Sequence, residues 1–490
     1  MSVLSSLAQL EAAATGRAQP LATVRHCHLT DAPLVMIPLK LAGEAAAPLA
    51  VMLGTDRDDP LLLAVPQPRN RDLRFSFAAE LAKPVLNHVE VGRGDVEELP
   101  PGKDGEERIR YGDAPQLLVP NRGGVAFLRL LGRSTRFRRT EGPYAVDPAV
   151  PVLGRWLTWF ADRNDHPGSS LLMAMTDALR LHWATGQSAL EDGNLAALMG
   201  WVDPPEGMDG PAAAARAEDP VACPPAGPAT DPSFDNEVLA PAIAAYDRSG
   251  GDPRAEERIR RALASQLRPT WDLMWRAVDV LRALPPGASV PYRWERDRDA
   301  FTYYHQTFGE AYPQARRDPP VRAARRLHDL ERAQEGYDAQ RAFDDPLVMA
   351  EQRLAGQAFG GTVVDSDPTR LDETGKRPKL RPRLRVRTDD PVRLEPGTPV
   401  CSAARPALKG RIVGAEDGTV LVELTGGMGR KLVPEPGVVP EAGERVVFTS
   451  RMADGFGAAR FPDKEDTPWT HGGPPEEYVP SDEDAAEEWS

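Results

Sequence analysis

Residues 411–424 read RIVGAEDGTVLVEL, two β-rich runs on either side of Glu416-Asp417-Gly418. Asp-Gly is a hairpin-turn signal, and the alternation that follows puts Val420, Val422 and Leu424 on one face of a strand. The pattern continues in both directions. PRLRVRT (382–388) and TPVCSA (398–403) precede the hairpin, and ERVVFTS (444–450) follows it. About five short strands within roughly 70 residues predict a small β-barrel of the OB or SH3-like type, over 376–452.

The barrel opens on a basic run. Residues 376–387 read KRPKLRPRLRVR, in a chain of net charge −14. Lys376, Arg377, Lys379, Arg381, Arg383, Arg385 and Arg387 are the cations. From Leu380 onward the apolar residues Leu380, Pro382, Leu384 and Val386 alternate with arginines. Alternate side chains of a strand share a face about 6.6 Å apart, so the four arginines are expected to form a ridge about 20 Å long. A guanidinium grips a phosphate bidentately, which makes the ridge a candidate nucleic-acid interface. Two other readings fit the same pattern. One is an edge strand charged against aggregation, where Pro382 loses no ladder bond. The other is a ridge paired with the protein's own acidic surface. Only 8 of the 59 basic residues are lysine, so arginine clusters weigh less here than in an ordinary chain.

The chain has 490 residues, room for about three domains at roughly 150 each. An α+β multidomain protein is expected. Residues 1–142 read as an N-terminal α+β domain with strands at 33–42, 48–55 and 60–67. FSFAAELAKPVLNHVEV (75–91) follows at helical spacing and is kinked or split at Pro84. PQLLVPNRGGVAFLRLLG (115–132) reads as a further hairpin. Residues 143–202 are helical. Residues 203–234, rich in Pro, Ala and Gly, read as a flexible linker. Residues 235–375 form a second helical domain, ending in charged helices at 320–343 and 346–359. The terminus 453–490 is acidic. Its last fifteen residues hold seven carboxylates beside Tyr478 and Trp489, and it is expected to be disordered and to compete for the arginine ridge.

No run approaches the roughly 20 apolar residues of a membrane helix. The first residues lack a basic segment and a long apolar one, and read as a short amphipathic helix. Cys27, Cys223 and Cys401 are odd in number and far apart, which excludes a disulfide framework and makes a reducing cytoplasm the simplest compartment. The phosphate loop G-x-x-x-x-G-K-[ST] does not occur, nor do G-x-S-x-G, H-E-x-x-H or C-x-x-C. Two weak constellations remain for metal chemistry: His26 and His28, and the group Asp162, Asp165 and His166, which equally reads as a helix stop and turn. VPYRWERDRDAFTYYHQTF (290–308) interleaves aromatics with arginines. Arg293, Trp294 and Tyr303 are its candidates for stacking a single strand, unless these are core aromatics of a helix with a solvated face. QPRNRDLRF (67–75) and GRSTRFRRT (132–140) suggest a second basic patch.

The order of parts over about 320–450 resembles the stalk and small β-barrel of superfamily 1 helicases of the nonsense-mediated-decay helicase type. The matching features are Arg393, Leu394, Gly397, Thr398 and Val400 at the barrel entry, the Gly410–Leu424 hairpin, and the closing GERVVFTS strand. In that family the barrel helps cover the single strand and a motor follows. No motor motif is present here, so the resemblance implies a subunit whose ATPase lies on another polypeptide. The expected function is a non-catalytic, nucleic-acid-binding accessory subunit acting with a helicase or other ATPase on single-stranded DNA or RNA, in DNA processing or phage defence. No cofactor, metal or membrane is implied. The alternatives are a protein-interaction scaffold and a metal-dependent hydrolase.

Overall fold

The computed structural model describes residues 3–44, 46–101, 107–308, 320–375, 377–452 and 459–461. Lys376 and the acidic terminus 462–490 lie outside the described residues, and with them the expected competition between tail and ridge.

Five strands build the central sheet: β1 (Leu34–Lys40), β2 (Pro48–Gly54), β3 (Leu61–Ala64), β4 (Leu117–Val119) and β5 (Leu172–Ala174). Their order is β3-β2-β1-β4-β5, antiparallel on the β3 side and parallel from β1 to β5. The first strands read as continuous apolar runs because both faces are covered. Leu34, Met36, Val51, Leu53, Leu117 and Val119 pack on α1 (Arg71–Val91), α2 (Arg122–Thr135) and α3 (Ala149–Asn164). Val35, Ile37, Leu39, Met52 and Leu118 pack on α4 (Met175–His182), α5 (Leu195–Val202) and α6 (Pro253–Arg282).

Three expectations change. The 115–132 hairpin is a strand, a turn and a helix: β4 ends at Val119, before Pro120, and the Asn121 side chain accepts from the Gly124 N–H at 3.0 Å to cap α2. Pro84 does not split α1, which is continuous over Arg71–Val91. The stretch 203–234 is not a free linker. It holds the helix Gly210–Ala217, buries Ala213, Ala214, Ala217 and Ala226, and accepts from the Lys40 N–H through the Pro228 carbonyl at 2.9 Å. Beyond it, α6 returns to cover the sheet, so one core spans both sides of the supposed boundary.

After α7 (Val290–Thr307), the helices α8 (Pro320–Asp344) and α9 (Pro346–Leu354) lead into the barrel. Between α8 and α9, buried Asp345 caps α9 through the Leu347 N–H and accepts the Thr23 N–H at 2.6 Å, which ties the helix junction to the N-terminal segment.

The barrel strands are β6 (Ala358–Asp367), β7 (Arg383–Arg387), β8 (Pro399–Ser402), β9 (Lys409–Glu416), β10 (Thr419–Gly426) and β11 (Arg445–Thr449). They close in the order β6-β7-β10-β9-β8-β11. Phe359, Leu384, Val386, Ile412, Val422 and Phe448 fill the interior. Asp417 and Gly418 both take positive φ, 48° and 69°, the geometry that a two-residue turn between twisted strands requires. Among the described residues no helix is long and apolar enough to cross a membrane.

Candidate nucleic-acid interface

The alternation read in 380–387 is the alternation of the barrel wall. Leu380, Leu384 and Val386 are buried, and the arginines face outward. The edge-strand reading is corrected, because β7 is paired along its length with β6 on one side and β10 on the other. The ridge is also shorter than expected. Lys379–Leu380 pairs with Leu371–Asp372 in a separate small hairpin, and strand β7 begins only after Pro382. Arg383, Arg385 and Arg387 therefore run along about 13 Å of strand. Arg381 sits behind them, with its guanidinium on the Leu380 and Thr425 carbonyls.

Glu423 is the centre of this face. Closure of the barrel places it on β10 directly opposite Arg383 on β7 and Arg411 on β9. It is buried, and three guanidiniums share its carboxylate. Arg370 Nη1 donates at 2.9 Å, Arg383 Nε at 3.1 Å, and Arg411 Nη2 at 2.6 Å. Burial alone raises its pKa, but the hydrogen bonds from Arg411 and Arg383, with the surrounding positive charge, outweigh it and hold the carboxyl below its ordinary value. One carboxylate neutralises one of three cations, so the cluster keeps a positive surplus.

Arg385 and Arg387 are exposed. Among the described residues neither has a carboxylate within 4.0 Å, although Asp365 stands opposite Arg385 across the β6 pairing. Arg377 and Lys379 are exposed on the small hairpin. Residues 358–451 carry sixteen Lys and Arg against thirteen Asp and Glu, a basic region in an otherwise acidic chain.

The other candidates separate. Arg293 is buried, with Nη2 donating to the His26 carbonyl at 2.9 Å and Nη1 to Gln340 at 3.0 Å. Trp294 is buried, bonded to Asp113 and stacked on His28. Neither can stack a base; both hold the fold. Tyr303 is exposed. His26 stacks on His182 and His28 on Trp294, so the two imidazoles of 26–28 do not converge. Asp165 pairs with Arg129 at 2.8 Å and Asp162 lies 3.9 Å from Arg326. Among the described residues no group of three or more His, Cys, Asp or Glu is arranged to hold a metal. The segments 67–75 and 132–140 do meet, with Arg71 and Arg138 both over the Phe75 ring.

Arg370, Arg411 and Glu423 were not singled out from the sequence. The parity of KGRIVGAE and TVLVEL puts Arg411 and Glu423 on the outward face, but only the strand order makes them neighbours of Arg383. The chain matches none of the family models, curated proteins or solved structures with which it was compared.

Proposed function

We propose that the protein is a non-catalytic, nucleic-acid-binding accessory subunit that works with a helicase or other ATPase on a separate polypeptide. The outer barrel face is the contact surface. The observation that carries this reading is the pair Arg385 and Arg387, exposed and, among the described residues, without a carboxylate partner, beside the surplus charge around Glu423 in a basic region of an acidic chain. Guanidiniums without internal partners are available to phosphates, and rigid strands on both sides hold them in place. The helices ahead of the barrel, in the order read from the sequence, support a subunit that works beside a partner ATPase.

The test is the binding of labelled single-stranded DNA and RNA to the full chain across a salt series. Replacing Arg385 and Arg387 by alanine removes two contacts and should lower the slope of log K against log salt by about 1.4, at about 0.7 per contact. Failure of the wild-type chain to bind either polymer at low salt ends this reading. A second reading, docking to an acidic protein surface, is favoured by the carboxylates that already stand opposite arginines of β7: Asp365 opposite Arg385, and Asp367 and Glu423 opposite Arg383. It predicts that the same double substitution abolishes capture of an acidic partner and leaves nucleic-acid binding unchanged.

A further inference from the structure

A cleft of about 600 Å³ lies between the 163–169 segment, the start of α7 and the second half of α8. Its cations are Arg163, Arg293, Arg296 and Arg332, and among the described residues its lining carboxylates are Asp297 and Asp329. Asp297 is buried and already used: it accepts from Arg163 Nη2 at 3.1 Å, Ser169 Oγ at 2.7 Å and the Ser170 N–H at 2.7 Å. Arg293 is used as well, on His26 and Gln340. Arg296 and Arg332 are different. Among the described residues neither forms an ion pair within 4.0 Å, and Arg332 Nε is shielded from solvent without an acceptor, as is Arg163 Nε. Donors therefore line the cleft without a matching set of acceptors, which is the complement of an anion rich in oxygen.

The walls also supply an aromatic surface. Tyr292 is 55% exposed and stands four residues before Arg296, on the same face of α7. The loop backbone comes close because position 168 is glycine with φ +79°, where an added Cβ would lie 2.9 Å from Arg293 Cδ and 3.0 Å from the Tyr337 ring. The volume is that of a small-molecule site rather than a polymer track.

We propose that this cleft binds a nucleoside phosphate, with Arg296 and Arg332 holding the phosphate oxygens and Tyr292 stacking on the base. This site is distinct from the barrel face and does not depend on it.

The experiment is calorimetric titration of the full chain with ATP, GTP, pyrophosphate and adenosine. At least one nucleotide should bind saturably, pyrophosphate more weakly and adenosine not at all. R296A and R332A should each weaken nucleotide binding about tenfold, the loss of one charge-assisted contact. Y292A should weaken the nucleotide and leave pyrophosphate unchanged. Arg296 is exposed, so R296A is expected to fold even if R332A does not. The double variant R385A/R387A should bind nucleotide as the wild type does. The proposal is overturned if neither nucleotide binds saturably at about 1 mM, if R296A binds as tightly as wild type, if Y292A has no effect, or if the barrel variant loses the nucleotide.

Discussion

Glu423→Gln separates the structural from the functional role of the arginine face. The substitution keeps the side-chain volume and deletes the one charge that holds Arg370, Arg383 and Arg411 together. Removing one partner of a fully buried ion pair costs about 3–5 kcal/mol. Here the loss is smaller, because the three arginine side chains are 28%, 38% and 56% exposed and can rehydrate, and the amide oxygen still accepts one bond. The expected cost is about 2–3 kcal/mol, or roughly a 30- to 150-fold rise in local opening. Hydrogen exchange by mass spectrometry reads this directly: peptides covering 383–387 and 409–426 should lose protection, and peptides covering 34–54 of the central sheet should not. Binding should move the other way. One more net positive charge on the face should tighten single-strand binding and steepen the salt slope by about 0.7. Unchanged protection over 409–426 would refute the buried carboxylate as a stabilising centre. A loss of affinity in parallel with stability would show that the arginines only brace the barrel.

Acidification should weaken the α/β core before the carboxylates titrate. Burial, reinforced by Arg341, pushes His26 down to about 3; burial likewise pushes His182 down to about 4. Unfolded histidine titrates near 6.5, so between about pH 6.5 and 4 the unfolded chain binds protons that the folded chain refuses. Stability then falls with falling pH by up to about 1.4 kcal/mol per unit for each histidine; a urea midpoint that stays constant from about pH 7.5 to 5 would contradict this. Gly361→Ala should open the barrel, because an added Cβ would lie 2.0 Å from the Arg387 carbonyl oxygen. The readout is the thiol of Cys401, buried in the folded chain and expected to become reactive towards a thiol reagent in a Cys223→Ser background. Gln116→Leu should cost at least about 3 kcal/mol in a denaturant titration. It removes the acceptor of the Thr30 N–H and the donor to the His28 and Ser170 carbonyls at a fully buried position.

The strands at 34–40, 48–54 and 61–64 were legible because each is an apolar run bounded by turn-formers. Five of the six barrel strands were legible for the same reason, with Asp417-Gly418 fixing their hairpin; β6 (Ala358–Asp367) was not, because it lies in a stretch read as helical, where the helix in fact stops at Leu354. The misread segments share a physical cause. In LLVPNRGGVAFLRLLG two short apolar runs flank a turn, which is what a hairpin also shows. The distinguishing signal is Asn121 as a cap followed by Val125, Leu128 and Leu131 at helical spacing. Strand β5 is three residues long and passes directly into α4, too short for any period to register. Residues 203–234 looked like a linker because Ala213, Ala214 and Ala217 bury a helix face without large side chains, so close packing leaves no hydrophobic pattern to see.

The two arginine clusters show how far residue type and residue spacing differ as guides to a site. In the barrel, a period of two put the arginines of β7 outside, and the structure agrees. What they do there depends on Glu423, forty residues away, and barrel closure is a non-local event that no local pattern announces. In α7 the candidates were chosen by type, and type misled. Arg293, Asp297 and Phe301 recur at helical spacing on the buried face; Tyr292 and Arg296 recur on the open one. The helical period alone separates these sets, because an arginine whose neighbours at i+4 and i+8 are inside must itself find acceptors inside. Arg293 finds them in the His26 carbonyl and Gln340. Among the described residues, Arg385 and Arg387 on β7 and Arg296 at the mouth of the cleft are left without a carboxylate partner, and they are the ones with charge to offer a ligand.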